Sequence, residues 1–206
     1  SYLLGGVSSC MIIDPARDPD IYIQAADEEG FRITGILETH LHADFISGHL
    51  DLHERTGAPI YAPKSAGCVF PHIPVSEGST ITLDDCSISV IETPGHTPEH
   101  VSYIVTHMSR GDEPAALFPG DTLFVGDVGR PDLFPGRAHE LASALYDSLH
   151  EKIMKLPDYC EVYPAHGAGS FCGRSLSAKR TTTIGYERRF NQILQIHDKE
   201  AFINEL

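Results

Sequence analysis

Along the chain, short apolar runs that suit buried or half-buried strands alternate with segments whose apolar positions recur at helical spacing. "SYLL" and "CMIID" predict a pair of strands around a Gly-Gly turn. Asp18 as an N-cap, Pro19 at the first helical position and Gly30 as a stop predict a helix over "DIYIQAADEEG". The apolar run at 33–39, "ITGILET", suits a buried strand that delivers the chain into "HLHADF". "ISGHLDLHERTG" reads as a helix and "PIYA" as a strand. Over 79–94, apolar and polar residues alternate on both sides of Asp84-Asp85, which predicts a hairpin. "HVSYIVT" and "AALFPGD" are further strands. Between 137 and 156, Leu141, Leu145, Leu149 and Ile153 recur every four residues, with Ala138, Ala142 and Tyr146 on neighbouring rows. That stripe predicts an amphipathic helix lying on a core. "EVYPAHG" is a strand running into a loop, "AKRTTTIGYERRFNQIL" a helix and "DKEAFINEL" a short final helix.

Strand groups interleaved with helices, with histidines where strands end, predict an α/β sandwich. Its site is built by loops at one edge of the sheets. One domain is expected over 1–206, with about 191–206 reading as a connection to a further C-terminal domain. There is no internal repeat and no low-complexity tract.

Composition narrows the partners. The 206 residues are 41% apolar and 21% charged, as in an ordinary globular protein, and no apolar run approaches the ~20 residues of a membrane span. A net charge of −14 disfavours nucleic acid and anionic lipid as partners. The five cysteines are odd in number, widely spaced and without a C-x-x-C pair, which fits a reducing, cytoplasmic setting. The opening "SYLLGG" already reads as structure and lacks an initiator Met, so a trimmed or processed N-terminus is expected.

Four clusters carry the chemistry: "THLHADF", "PGHTPEH", "FPGDTLF" and "YPAHGAG". Each sets a His or Asp just after an apolar strand, usually beside a Pro or Gly that lets the backbone turn sharply. Convergence of the four would bring His40, His42, Asp44, His96, Asp121 and His166 into one pocket. Neutral imidazoles and carboxylates suit a divalent transition metal. A lone strand-end histidine is more often a surface or core residue than a ligand, and H-x-H alone says little, since alternate residues of any extended segment point the same way. Four clusters of one type in one regular position favour the metal. His49, His53, His72, His107, His139, His150 and His197 lie in amphipathic or polar segments and need no chemical role; His100 stays open.

In that order, "THLHAD", "ETPGHTPEHVSYIV", "FPGDTLF", "VGDVGRPDL" and "YPAHGAG" resemble the signatures of the metallo-β-lactamase fold superfamily, from Ser1 to about Phe190. The resemblance implies a four-layer αβ/βα sandwich with metals at the sheet edges. Within that group, "GDVGRPDL" and "AHGAGSFCG" are most similar to persulfide dioxygenases, especially those fused to rhodanese domains. The superfamily's usual first motif is T-H-x-H-x-D-H, and here its last position is Phe45. Phenylalanine offers no lone pair, so a second metal would have only Asp44, His166 and a shared Asp121, and two-metal activation of water is disfavoured. The resemblance to persulfide dioxygenases implies one Fe(II) per chain, on His40, His96 and Asp121, with positions left open for sulfur and oxygen. His42, Asp44 and His166 then orient ligands and water, or serve as alternative metal ligands. Many persulfide dioxygenases keep a histidine where this chain has Phe45 but do not bind iron with it.

Arg130 could bind a carboxylate or phosphate of a thiol carrier, or tie its own loop to Asp132. Resemblance to the rhodanese-fused subgroup places Cys172 facing the iron pocket, with Arg174 near enough to favour a thiolate. The expected function is therefore an Fe(II)-dependent persulfide dioxygenase, oxidising a low-molecular-weight thiol persulfide with O2 to sulfite and thiol. Two alternatives stand: a zinc-dependent glyoxalase II-like thioester hydrolase, and a non-catalytic metal- or thiol-binding module. Zinc readily occupies such ligands in a purified sample. A rhodanese domain in cis and a homo-oligomer are the expected protein partners.

Overall fold

The computed structural model describes residues 1–167 and 179–206. The first half forms β1 (Tyr2–Gly5), β2 (Ser9–Ile13), α1 (Asp20–Glu29), β3 (Arg32–Leu37), α2 (His49–Thr56), β4 (Ile60–Pro63) and β5 (Ile73–Val75). Its five strands lie in the order β1-β2-β3-β4-β5; β1 and β2 pair antiparallel and the rest run parallel. The second half forms β6 (Thr80–Leu83), β7 (Cys86–Glu92), β8 (Val101–His107), β9 (Ala116–Phe118), α3 (Ala138–Asp147), β10 (Glu161–Val162), β11 (Thr182–Thr183), α4 (Ile184–Phe190) and α5 (Lys199–Glu205). The strands of its six-stranded sheet follow the order β11-β10-β9-β8-β7-β6.

The period-2 alternation of each strand decides which layer it feeds. On the inner faces, Met11, Ile13 and Leu37 of the first sheet meet Ile88, Val90, Tyr103 and Phe118 of the second. On the outer faces, Cys10, Ile12 and Ile36 pack under Tyr22 and Ala26 of α1 and Leu52 of α2. Ile104, Leu117 and Val162 pack under Leu145, Leu149 and Phe202 on the other side. Helix, sheet, sheet, helix is the expected four-layer sandwich.

Three elements depart from the sequence expectation. The helix expected over "ISGHLDLHERTG" starts only at His49, because Gly48 donates to the Pro15 carbonyl at 2.9 Å and Ser47 bridges antiparallel to Ala16. The long stripe of leucines is α-helical only to Asp147; Ser148–Lys152 widen into a π-helical turn and Ile153–Lys155 tighten into a 3-10 turn. A four-residue repeat overshoots a 3.6-residue turn by about 40° each time. The widened turn returns Leu149 and Ile153 to the row of Leu141 and Leu145, and all four are buried. Among the described residues, the helix expected over "AKRTTTIGYERRFNQIL" is reduced to α4 and a 3-10 turn that starts at Ile193. Thr182 and Thr183 pair instead with β10, and the Thr183 hydroxyl then caps α4 by accepting from Tyr186 N at 3.2 Å. The 191–206 stretch docks on α3 through fully buried Phe202, with Lys199 reaching Asp147 at 2.7 Å.

One acid joins the two halves. Asp84, at the tip of the β6–β7 hairpin with φ +49°, accepts from the backbone N–H groups of Val7, Ser8 and Ser9 at 2.7, 2.7 and 3.0 Å. The hydrogen bond from Ser8, with those of Ser9 and Val7, holds its carboxyl below the ordinary 3.8 against the opposing effect of desolvation. A carboxylate favoured by folding adds stability above its unfolded pKa, and loses it as pH falls through the folded one. Asp84→Asn, which still tolerates positive φ, should therefore unfold at lower temperature than the native chain at pH 7. Thermal melts across pH should show that gap closing as pH falls below 3.8.

Candidate metal centre

Three loops at one edge of the sandwich deliver the donors. His40 follows β3 of the first sheet; His96 follows β7 and Asp121 follows β9, both of the second. Glycines make the approach feasible. Gly120 sits at φ +52°, where a Cβ would lie 2.6 Å from both His100 Nε2 and Thr39 Oγ1. One ligand atom from each of His40, His96 and Asp121 lies within 4.8 Å of the others, and all three residues are buried.

The hydrogen bonds around the set dictate its protonation. Thr39 donates its hydroxyl to Asp14 Oδ2 at 2.8 Å, so its oxygen accepts from His40 Nδ1 at 2.9 Å. His96 Nδ1 donates to the Arg130 carbonyl at 3.0 Å. Both imidazoles therefore present an unprotonated Nε2 to the pocket. Burial, reinforced by the neighbouring histidines, holds His40 well below the usual imidazole value; burial also lowers His96, against the pull of Asp121. Burial raises Asp121, but the His166 hydrogen bond and His96 outweigh it and leave the carboxyl below its ordinary value.

This arrangement has the chemistry of a cation site. His96 Nε2 faces Asp121 Oδ2 at 3.3 Å, acceptor against acceptor, and His40 Nε2 lies 3.9 Å from the same oxygen. His40 Nε2 and Asp121 Oδ2 are buried without a hydrogen-bond partner. Buried acceptors left so are costly, and a divalent ion between them removes the cost. Two imidazoles and one carboxylate fit zinc or iron.

The remaining histidines and acids lie around the set. His166 stands between two carboxylates, Nδ1 at 2.7 Å from Asp121 Oδ1 and Nε2 at 2.7 Å from Asp44 Oδ2. His42 turns to Asp14 Oδ1 at 3.2 Å and Glu38 Oε2 at 3.5 Å, with Phe45 packed on its ring at a centroid distance of 4.2 Å. Burial lowers His42, but Asp14 and then Glu38 outweigh it and raise the imidazole to about 10. Phe45 thus stands against His42 rather than offering a donor. A cavity of about 340 Å³, walled by Leu41, Phe45, Ile46, Leu50, Cys68 and Phe70, opens onto His40.

Several residues of the site escaped the sequence reading. His100 is fully buried, stacks on His40 at 4.7 Å and accepts from Asp121 N at 3.1 Å through Nε2. Burial pushes it down to about 3, so it stays neutral and braces the ligands without entering the set. Asp14 and Glu38 were also missed. Asp14 follows an apolar strand and precedes Pro15, the same strand-end pattern that marked the other clusters, so the signal was present. His49, expected to have no chemical role, reaches Glu38 Oε1 at 3.1 Å. Arg130 forks onto Asp132 at 2.6 and 2.8 Å on the surface; its backbone carbonyl, not its side chain, contacts His96. Cys172 and Arg174 lie outside the described residues.

Comparison with known proteins follows from this geometry. A hydroxyacylglutathione hydrolase of Methylobacillus flagellatus is 34% identical over 167 residues, covering 80% of this chain and 60% of that protein. The chain thus spans about 60% of that relative's length. A metallo-beta-lactamase structure from Staphylococcus aureus superposes with a TM-score of 0.89 at 41% identity, covering 96% of this chain and 60% of that one. ETHE1 from Myxococcus xanthus superposes with a TM-score of 0.84 at 30% identity, covering 98% and 82%. The family model of the metallo-beta-lactamase superfamily matches residues 1–166, the span that carries β1 to β10 and every donor above. With sandwich, strand-end donors and family model in agreement, the chain belongs to the metallo-beta-lactamase superfamily.

Proposed function

We propose that this chain is an Fe(II)-dependent persulfide dioxygenase. It converts a low-molecular-weight thiol persulfide, O2 and water into the thiol and sulfite. The single observation that carries this reading is the donor set. His40, His96 and Asp121 converge, while His42 lies beside Asp14 and Glu38, and Phe45, packed on the His42 ring, offers no donor. Three protein donors with open positions are the arrangement used by non-haem iron oxygenases. When bound, iron supplies the redox chemistry between the sulfur and dioxygen.

The protein's own work is binding and orientation. Two neutral imidazoles and one carboxylate leave a divalent site at about +1, which attracts an anionic persulfide. His166 and the Asp121 N–H bond to His100 fix the carboxylate, so that Oδ2 keeps facing His40 and His96. The apolar wall of Leu41, Phe45 and Phe70 gives the carbon chain of the thiol a place to lie and limits water beside His40.

A second reading, a zinc-dependent thioester hydrolase of the glyoxalase II kind, is favoured by the names of the curated relatives. The two readings part on metal count and on oxygen. Protein prepared anaerobically should carry one iron per chain, and should consume oxygen in step with sulfite formed from glutathione or coenzyme A persulfide. Two zinc ions per chain, with thioester cleavage and no oxygen uptake, would establish the hydrolase instead.

A further inference from the structure

Resting on the mononuclear reading above, we infer that Asp14 and Glu38 are positioning residues: they hold His42 out of the coordination set, and so limit the protein ligands to three.

The backbone alone does not exclude His42. It lies two residues beyond His40. The two rings are neighbours, with centroids 4.2 Å apart. Yet His42 Nε2 lies 3.2 Å from Asp14 Oδ1 and 3.5 Å from Glu38 Oε2, and Phe45 packs on its ring. What differs between the two histidines is the partner each finds.

Both carboxylates are built into place. Asp14 is 4% exposed and accepts from Thr39 N at 2.7 Å and Thr39 Oγ1 at 2.8 Å. Glu38 is 4% exposed and accepts from Ser47 Oγ at 2.7 Å, with His49 Nδ1 at 3.1 Å. Asp14 cannot swing aside without leaving the Thr39 N–H unpaired. Asp14 also holds φ at +49°, a strained conformation for a non-glycine residue. Such strain persists only where the surroundings enforce it, and it gathers at functional sites. Asp14 therefore serves both histidines. Through Thr39 it sets the tautomer of His40, and directly it takes His42 away.

The test is a cycle of variants loaded with cobalt(II), read by the number of imidazoles in the X-ray absorption fine structure and by the dissociation constant. In the native background, His42→Ala should leave the imidazole count at two and the affinity within about threefold. In the D14N/E38Q background, His42 is released, so adding His42→Ala should lower the count by one and the affinity by more than about tenfold, the scale on which outer partners act. Comparing the two steps cancels any separate effect of Asp14→Asn on His40. Should the double variant not fold, the same cycle is run on Asp14→Asn, which removes the nearer of the two partners.

Three imidazoles in the native protein, or equal effects of His42→Ala in both backgrounds, would overturn the inference. So would a second ion seated on Asp14, Glu38 and His42. None of these readouts uses oxygen. An inactive protein with two imidazoles would end the dioxygenase reading and leave the positioning role standing.

Discussion

Replacing His96 with alanine should give a folded protein that does not retain its metal. His96 contributes one of the three converging donor atoms, and its other ring nitrogen is committed to the Arg130 carbonyl. His100, stacked on His40, has its Nε2 occupied by the Asp121 N–H. Losing only an outer partner of a metal ligand costs 10–100-fold in affinity, so loss of the ligand itself should exceed about 100-fold. Elemental analysis after dialysis against a mild chelator reads the loss directly, and oxygen uptake with a persulfide should fall to background. Oxygen uptake surviving in this variant would remove His96, and the three-donor set with it, from the mechanism.

Gly129→Ala should be as damaging, for a different reason. An added Cβ would lie 1.8 Å from the Asp121 carbonyl oxygen and 3.2 Å from His96 Cβ. No rotamer relieves a clash with backbone. The loop closed by the Leu123–Val128 bridge must move, carrying Asp121 and the Arg130 carbonyl that orients His96. Overpacking of this kind costs about 3 kcal/mol or more where the neighbour cannot yield. The control is Gly136→Ala, at φ +78° with nothing within 4 Å of the new Cβ, where only backbone strain of about 1 kcal/mol is expected. Urea unfolding separates the two variants, and metal content separates them further: Gly129→Ala should lose its ion and Gly136→Ala should keep it. Equal midpoints would show that the loop is softer than its contacts imply.

The layers of this fold were legible because each strand alternates cleanly. Met11 and Ile13 face the other sheet while Cys10 and Ile12 face the helices, and that period is written in the residues. Element ends were less legible where a distant partner decides them. Nothing local tells Thr182 and Thr183 to join β10, and nothing in "ISGH" announces the Pro15 carbonyl that delays α2. Six candidate donors, His40, His42, Asp44, His96, Asp121 and His166, were legible for a related reason, each falling just after an apolar strand at a sharp turn; the set of three was implied only by the family resemblance. Their bracing was legible only in part. Whether His42 binds an ion or pairs with Asp14 depends on a residue 28 positions earlier, and H-x-H spacing is silent on that choice. His100 shared a cluster with His96, yet its role follows from the Asp121 backbone, which only the folded chain brings near.

The three donors do not share one sheet. His40 leaves the first sheet, while His96 and Asp121 leave the second. An ion seated among them is therefore a clasp across an apolar seam, and at a hundredfold excess over its dissociation constant it would tighten the closed form by about 2.7 kcal/mol. Scarcity of that ion would then shorten the life of the protein as well as silence it.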